Sequence, residues 1–202
     1  MMIGKWNKSV ILTYIGVLCG LYGMFIANTK INYAIIALIV AGICDMLDGT
    51  IARMCKRTDE EKRFGIQLDS LADAINFGVL PIVIIISLMG ISWINFIGCG
   101  IYVIFGIARL AYFNILAEEN SDEPMKFYHG LPITSIAITM PLSYVISMIL
   151  IPKYAWLITY AALLFTGIFF VVDIHVKKLS IREYVFCILL AIITIFVLVV
   201  KI

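Results

Sequence analysis

The sequence has 202 residues, of which 63% are hydrophobic and only 14% are charged, and its formal net charge is +2. Soluble domains average about 45–50% apolar and about 25% charged residues, so this composition excludes a soluble protein and predicts one that crosses a membrane several times. The small net charge gives no indication of a nucleic-acid partner, and we expect none. The length and the uniformly apolar character predict a single membrane-embedded domain over residues 1–202.

Seven segments are long and apolar enough to cross a bilayer, whose hydrocarbon core of about 30 Å needs about 20 residues of helix. Spans of this length exclude a β-barrel, because only helices of that length satisfy their own backbone in lipid. The predicted fold is therefore all-α, a polytopic transmembrane helix bundle of about seven spans, with six to eight as the range. The segments are Ser9–Ala27, Ile31–Arg53, Ile66–Met89, Trp93–Leu116, Leu131–Ile151, Tyr154–Val172 and Arg182–Val200.

The positive charges indicate how these spans are oriented. With the N-terminus inside, eleven Lys and Arg residues fall in the inner segments and three in the outer ones. Such an excess is typical of the cytoplasmic side, so we expect a protein of the cell membrane with a cytoplasmic N-terminus. Two inner connections, Met54–Phe64 and Ala117–Gly130, are hydrophilic and are predicted to be loops.

Four acidic residues lie well inside the predicted spans, whereas Glu183 lies at the very end of one. Asp45 and Asp48 belong to the second span, and Asp69 and Asp73 belong to the third. A charged Asp deep in a span costs roughly 2.5–3.5 kcal/mol even on the most lenient insertion scale. Four of them so close in sequence therefore need compensation, and divalent cations would provide it.

The spacing of these aspartates predicts that they meet. Asp45 and Asp48 are three residues apart and Asp69 and Asp73 are four apart, so each pair lies on one face of its helix. The short connection makes the two helices antiparallel neighbours. With Arg53 and Ile66 as the helix ends, at about 1.5 Å per residue, the nearer aspartates lie about 7 and about 5 Å below the inner surface. Carboxylates alone suit Mg²⁺, Mn²⁺ or Ca²⁺ rather than a metal that prefers thiolates.

Small residues and an arginine accompany the cluster. Gly49 follows Asp45 by four residues and Ala52 by seven, so both lie near the Asp45 face and leave room for a ligand. Gly65 precedes Asp69 by four residues and is predicted to open the third helix. Arg53 adds a charged fork that suits a diphosphate. Small residues alone often only allow helices to pack closely in membranes, but the acidic cluster favours a ligand site here.

These residues resemble the signature of the CDP-alcohol phosphotransferase family, D-x-x-D-G-x-x-A-R followed by G-x-x-x-D-x-x-x-D. The two halves read Asp45-Met46-Leu47-Asp48-Gly49-Thr50-Ile51-Ala52-Arg53 and Gly65-Ile66-Gln67-Leu68-Asp69-Ser70-Leu71-Ala72-Asp73. Every specified position is filled. The one departure is the connection between Arg53 and Gly65, which is longer than usual and whose extra residues are expected to lie in the charged loop.

The resemblance implies a role for each residue. It implies that Asp45, Asp48 and Asp69 bind two divalent cations, Mg²⁺ or Mn²⁺, and that Asp73 is the general base and also touches a cation. It implies that the nucleotide diphosphate lies against four residues, namely Gly49, Ala52, Arg53 and Gly65. A six-helix core, a homodimer among membrane lipids, a CDP-lipid donor and an active site at the cytoplasmic face are implied as well.

Two further segments bear on the acceptor alcohol. Ala108-Arg109-Leu110-Ala111-Tyr112-Phe113-Asn114 and Phe127-Tyr128-His129-Gly130-Leu131-Pro132 resemble the branch of the family that transfers to L-serine. Arg109 lies inside the fourth span, where a guanidinium needs an anion, and the serine carboxylate would provide one. We therefore predict that Arg109 and Asn114 bind the acceptor. Pairing of Arg109 with an acidic residue or a lipid phosphate is the alternative.

Two other functions remain open from the sequence. Glycerol phosphate or inositol phosphate could be the acceptor, with Lys56, Arg57, Lys62 and Arg63 binding the additional phosphate. A cation transporter would also place carboxylates in helices. That class favours a site at the bilayer midplane and internal repeats, whereas this cluster lies near one surface and the sequence shows no repeat.

Overall fold

The structure is a computed structural model that describes residue 4 and residues 7–119, 127–177 and 180–200. Eight α-helices run through this part of the chain. Their bounds are α1 Ile11–Ile26, α2 Ile31–Met54, α3 Asp59–Asp73, α4 Leu80–Met89, α5 Trp93–Glu119, α6 Ile136–Leu150, α7 Ala155–Val171 and α8 Ile181–Val200. Short 3₁₀ turns at Lys8–Val10, Ile133–Ser135 and Pro152–Tyr154 precede α1, α6 and α7.

Seven helical stretches in the described residues are long and apolar enough to cross a membrane, which confirms the predicted bundle of about seven spans. One of them is the continuous stretch Asp59–Met89, in which a π-helical segment, Ala74–Val79, joins α3 to α4. The strands β1 Phe127–His129 and β2 His175–Lys177 form a small antiparallel ribbon in which the backbone of His129 pairs with that of His175. The protein is therefore an integral membrane protein with an all-helical core.

The prediction that Met54–Phe64 forms a loop is wrong. Only residues 55–58 connect α2 to α3, and α3 begins at Asp59. Thr58 starts the helix with a capping box: its hydroxyl accepts from the backbone N–H of Glu61 at 3.3 Å, and its own N–H donates to the Glu61 carboxylate at 2.7 Å. Three acidic residues in the first turn, beginning with Asp59, further favour this start because they face the positive end of the helix dipole.

This early start changes the position of two predicted site residues. Gly65 lies within α3 and does not open it, and Asp69 lies ten residues after the first residue of α3 instead of three residues after a start at Ile66. The extra residues between Arg53 and Gly65 therefore add helix more than loop. The first turns of α3 are charged, with Lys62 bonded to Asp59 at 2.9 Å on an exposed face.

The core of the bundle lies around α2. Its Ala34, Ile35 and Leu38 are fully buried, together with apolar residues of α4, α6 and α7 such as Ile84 and Leu163. Large apolar side chains are exposed on the outer faces of α1, α5 and α8, as expected of surfaces that face lipid. α8 is the most peripheral span, because only 11% of its most apolar 18-residue stretch is buried.

α1 packs closely against α2 and against the π-helical segment. A Cβ atom at Gly23 would lie 2.9 Å from the Cβ of Ala37, and one at Gly20 would overlap the side-chain oxygen of Asn76. The π-helical segment itself has a backbone carbonyl that needs a partner, and the buried Tyr102 hydroxyl of α5 donates to the Phe77 carbonyl at 2.6 Å. These contacts fix the backbone that follows Asp73.

Candidate active site

The four aspartates of α2 and α3 form one cluster. Carboxylate oxygens of Asp45, Asp48 and Asp69 all lie within 4.8 Å of one another. Asp73 lies beside Asp45, close enough for their side chains to share a hydrogen bond. The structure thus brings together the two pairs that the sequence spacing predicted to meet. They line one small cavity between α1, α2 and α3.

Thr13 of α1 also belongs to this site, although it is not among the site residues predicted from the sequence. Its hydroxyl donates to Asp48 at 2.8 Å, and both side chains are buried. The signal was present as a spacing: Thr13, Gly16, Gly20 and Gly23 recur at three and four residues and therefore share one face of α1. A face of small residues ending in a hydroxyl allows α1 to approach the aspartates closely.

Asp73 and Asn76 form the deepest part of the cluster. Asp73 is the last residue of α3, and Asn76 lies one turn later in the π-helical segment. Both are buried, with 8% and 3% of their surface exposed, and both line the cavity of the aspartates. The side-chain oxygen of Asn76 has no hydrogen-bond partner. π-Helical segments are rare and occur frequently at functional sites, as this one does.

The chemistry of these side chains suits divalent cations. The cluster offers four carboxylates, the Thr13 hydroxyl and the amide of Asn76, and the nearest thiol, Cys44, lines the same cavity among these oxygen ligands. Carboxylate and carbonyl oxygens are the ligands that Mg²⁺ and Mn²⁺ prefer. The cluster is therefore compatible with metal binding.

Three of the residues predicted to face the nucleotide lie towards the end of α2, and the fourth, Gly65, lies in the middle of α3. Gly49 and Ala52 are half-buried, and a Cβ at Gly49 would meet only the Arg53 guanidinium, at 3.8 Å. Arg53 is exposed and donates to the Thr50 hydroxyl at 3.1 Å. A Cβ at Gly65 would lie 3.5 Å from the Arg57 guanidinium. Two arginines therefore flank the two signature glycines.

Arg109 lies in α5 close to the aspartates. It is 8% exposed, its guanidinium stacks on the ring of Phe113 at 5.1 Å, and its charge acts on Asp45 and Asp73. The closeness of Arg109 to Asp45 and Asp73 agrees in part with the alternative prediction that Arg109 pairs with an acidic residue. Arg109 also lines a second cavity of about 300 Å³, which lies between α5 and the end of α7.

Asn114 lies five residues beyond Arg109 in α5 and contacts α3. Its side-chain oxygen accepts from the Ser70 hydroxyl at 2.7 Å, and its amide donates to Gln67 at 3.3 Å. Asn114 is not among the residues that line the second cavity. The role of Asn114 in binding the acceptor stays a prediction. Its observed contacts connect α5 to α3, the helix that contains Asp69. Four of the lysines counted in the charge asymmetry lie outside the described part of the chain, namely Lys5, Lys126, Lys178 and Lys201. The side chains of Phe127, Tyr128 and His129, which belong to the second acceptor segment, are likewise not described.

Comparison with known proteins agrees with this site. A protein of Helicobacter pylori strain J99 named CDP-diacylglycerol–serine O-phosphatidyltransferase is 34% identical over 177 residues, which cover 86% of this chain and 70% of the relative. A Saccharomyces cerevisiae protein with the same name is 35% identical over 112 residues, 52% of this chain and 40% of the relative. The archaetidylserine synthase of Methanothermobacter thermautotrophicus is 36% identical over 116 residues, 57% of this chain and 47% of the relative.

This chain therefore spans most of the first relative and less than half of the other two. The sequence profile of one enzyme family, described as CDP-alcohol phosphatidyltransferase, matches residues 6–172. That match contains α1 to α7 and all the aspartates of the cluster. Together with the filled signature, it shows that this chain is a member of the CDP-alcohol phosphatidyltransferase family.

Proposed function

We propose that this protein transfers the phosphatidyl group of a CDP-lipid, CDP-diacylglycerol or its ether analogue, to the hydroxyl of L-serine and releases CMP. The observation that carries the proposal is the aspartate cluster beside Arg109: a carboxylate site for a diphosphate donor lies next to a buried guanidinium that can bind an acceptor carboxylate. The names of the relatives support serine as the acceptor. We also propose that residues 1–202 act as one catalytic domain, that the chain forms a homodimer, and that the site opens to the cytoplasm.

The proposed reaction is a direct displacement at the lipid-linked phosphorus. The serine hydroxyl forms a new bond to that phosphorus, the bond from phosphorus to the CMP oxygen breaks, and CMP leaves with the electron pair. Asp73 accepts the hydroxyl proton as the general base, and its burial beside Asp45 keeps bulk water from competing for this role. Arg53 and the open surface at Gly49 and Gly65 orient the diphosphate.

Two divalent cations, Mg²⁺ or Mn²⁺, held by Asp45, Asp48, Asp69 and Asp73, would neutralise the diphosphate and stabilise the departing CMP. Thr13 holds Asp48 in place through its 2.8 Å hydrogen bond. Asn114 positions α3 through Ser70.

The acceptor is tested directly with purified protein in detergent or vesicles. CDP-diacylglycerol is supplied with radiolabelled serine, glycerol phosphate or inositol phosphate in parallel reactions, and the lipid product is separated. We expect label to enter lipid from serine and CMP to appear in equal amount. Labelling from glycerol phosphate or inositol phosphate without labelling from serine would replace the proposed acceptor while leaving the family chemistry intact.

Replacement of Arg53 is expected to weaken donor binding. Loss of a charge-assisted hydrogen bond to the diphosphate costs about 1.5–3 kcal/mol, so Arg53→Ala should lower the affinity for CDP by roughly 10- to 150-fold. Binding of CDP in the presence of Mg²⁺ is the measurement. Arg63→Ala, which removes an exposed arginine from the first turns of α3, is the matched control and should bind CDP as the wild type does.

Arg109→Ala provides the opposite comparison. Because we assign Arg109 to the acceptor, this variant should retain CDP binding and require far more serine. Equal weakening of CDP binding by Arg53→Ala and Arg109→Ala would contradict the division into a nucleotide side and an acceptor side.

A further inference from the structure

The π-helical segment at the end of α3 has a cause in the sequence. Pro81 lies four residues after Phe77, has no N–H, and carries a ring that clashes with the carbonyl four residues earlier. An α-helical bond to the Phe77 carbonyl is therefore impossible. The chain instead widens into a π-helical turn, in which the N–H of Leu80 donates to the Ile75 carbonyl. Inside a membrane, the Phe77 carbonyl needs a donor from a neighbouring helix.

Tyr102 of α5 provides that donor. Its hydroxyl donates to the Phe77 carbonyl at 2.6 Å, and its side chain is only 1% exposed. The ring packs on α7, where a Cβ at Gly167 would lie 2.8 Å from it and the Phe170 ring lies 5.5 Å away. Packing against α7 therefore fixes the direction in which the hydroxyl points.

The same segment also lies against α1. Asn76, the residue before Phe77, is buried and lines the cavity of the aspartates. A Cβ at Gly20 would overlap its side-chain oxygen, and one at Gly16 would lie 3.5 Å from its side-chain nitrogen. Contacts with two helices, α5 and α1, therefore determine where the π-helical segment lies.

The position of this segment matters to Asp73, which directly precedes it. Asp73 is buried beside Asp45, close enough for their side chains to share a hydrogen bond. A shift of the backbone that follows Asp73 would move its carboxylate within the cluster. Misplacement of a reacting group by about 1 Å can lower a rate by about 10²-fold, even when the change that causes it lies away from the chemistry.

We infer that Tyr102 is a positioning residue for the proposed reaction: its hydroxyl holds the π-helical turn that Pro81 imposes, and this turn keeps Asp73 in place as the base. The inference rests on the proposed function, in which Asp73 accepts the hydroxyl proton, and deepens it. Tyr102 is not among the residues that line the cavity of the aspartates. Its effect on the reaction therefore passes through the backbone of the π-helical segment.

Tyr102→Phe tests this inference, because it removes the hydroxyl and keeps the ring on α7. We expect kcat for transfer from CDP-diacylglycerol to serine to fall about 10- to 100-fold at saturating Mn²⁺. The KM for serine and the affinity for CDP should be unchanged. Turnover is measured well below the unfolding temperature of each variant, and that temperature is recorded as well.

Tyr160→Phe is the matched control. Tyr160 of α7 is 7% exposed and its hydroxyl donates to the Ile94 carbonyl at 3.1 Å, so the same substitution again removes a bond from a tyrosine hydroxyl to a backbone carbonyl. That bond lies at the first turn of α5, and neither residue lines the cavity of the aspartates. Loss of the hydroxyl should lower both unfolding temperatures, whereas only Tyr102→Phe should lose turnover.

A double variant tests whether Tyr102 acts through Asp73. Asp73→Asn has already lost the base, so the addition of Tyr102→Phe should lower its kcat by no more than about twofold. Two independent losses would multiply instead.

The results that would overturn the inference differ from those that would overturn the proposed function. Wild-type turnover in Tyr102→Phe, an equal loss in Tyr160→Phe, or losses that multiply in the double variant would each overturn the role of Tyr102. So would a Tyr102→Phe protein that fails to fold while Tyr160→Phe folds, since Tyr102 would then serve the fold alone. Wild-type turnover in Asp73→Asn would remove the base through which Tyr102 acts. Absence of transfer from wild-type protein to serine would instead overturn the proposed function.

Discussion

Removal of divalent cations is expected to abolish transfer, with a loss of at least about 10³-fold, because a bound cation contributes several kcal/mol of transition-state stabilisation and each 1.36 kcal/mol is tenfold in rate. The physical reason lies in the cluster: three carboxylate oxygens meet within 4.8 Å and Asp73 lies beside them. Without cations, a diphosphate donor would have to enter a site of the same charge. The measurement is the rate after exhaustive chelation, and Mg²⁺ or Mn²⁺ added back should restore it.

Chelator presaturated with Mg²⁺ is the control, since it should leave the rate unchanged. A second measurement that does not depend on turnover is the thermal unfolding of the detergent-solubilised protein. Mn²⁺ should raise the unfolding temperature of the wild-type protein. It should raise the unfolding temperature of Asp59→Asn equally, because that variant alters only an exposed carboxylate, and that of Asp45→Asn much less. Full turnover after verified metal removal would refute the metal-assisted mechanism.

The sequence predicted the membrane bundle and the aspartate cluster because both depend on simple periodicities. Apolar runs of sufficient length can hardly form anything but spanning helices, and carboxylates three or four residues apart must share a helix face. The structure accordingly brings Asp45, Asp48 and Asp69 together. The meeting of α2 and α3 followed from the short connection between them.

The start of α3 was predicted wrongly because hydropathy was used to place the helix end. Residues 59–64 contain no apolar run, so hydropathy alone predicts a loop there. Their helical conformation comes from the capping box of Thr58 and Glu61, which is a local polar interaction and does not depend on hydropathy. The motif T-D-E-E was visible in the sequence and would have predicted the start.

The contributions of Thr13, Asn76 and Tyr102 could not be predicted in the same way. The spacing of Thr13 with the glycines of α1 indicates a close-packing face, but it does not say which helix that face contacts. Asn76 reaches the cluster because a π-helical segment follows Asp73, and that segment has no periodic signal. Tyr102 lies far from Phe77 in sequence, and the packing of α5 against the π-helical segment brings its hydroxyl to the Phe77 carbonyl. Such long-range contacts depend on tertiary packing and not on the local pattern.

Replacement of Asp73 by Asn is expected to lower turnover by at least about 10²-fold, within the range of about 10²–10⁴ that general-base catalysis contributes. Asn has nearly the same size as Asp, so the buried position at the end of α3 should remain filled. The amide cannot accept the hydroxyl proton. The Asn amide can still donate a hydrogen bond to Asp45, so the fold should be retained and the unfolding temperature should not fall.

The variant must be tested for the two roles that we propose for Asp73, base and metal ligand. A variant that has lost only a ligand should recover when Mn²⁺ is raised to saturation, whereas a variant that has lost the base should stay slow. We therefore expect Asp73→Asn to bind CDP at saturating Mn²⁺ and still to turn over at about 1% of the wild-type rate or less. Asp59→Asn, an exposed change in the same helix, should turn over normally. If Asp73→Asn recovered the wild-type rate at saturating Mn²⁺, Asp73 would be a metal ligand only and the reaction would need a different base. The carboxylates of Asp45 and Asp69 are the groups near enough to take that role.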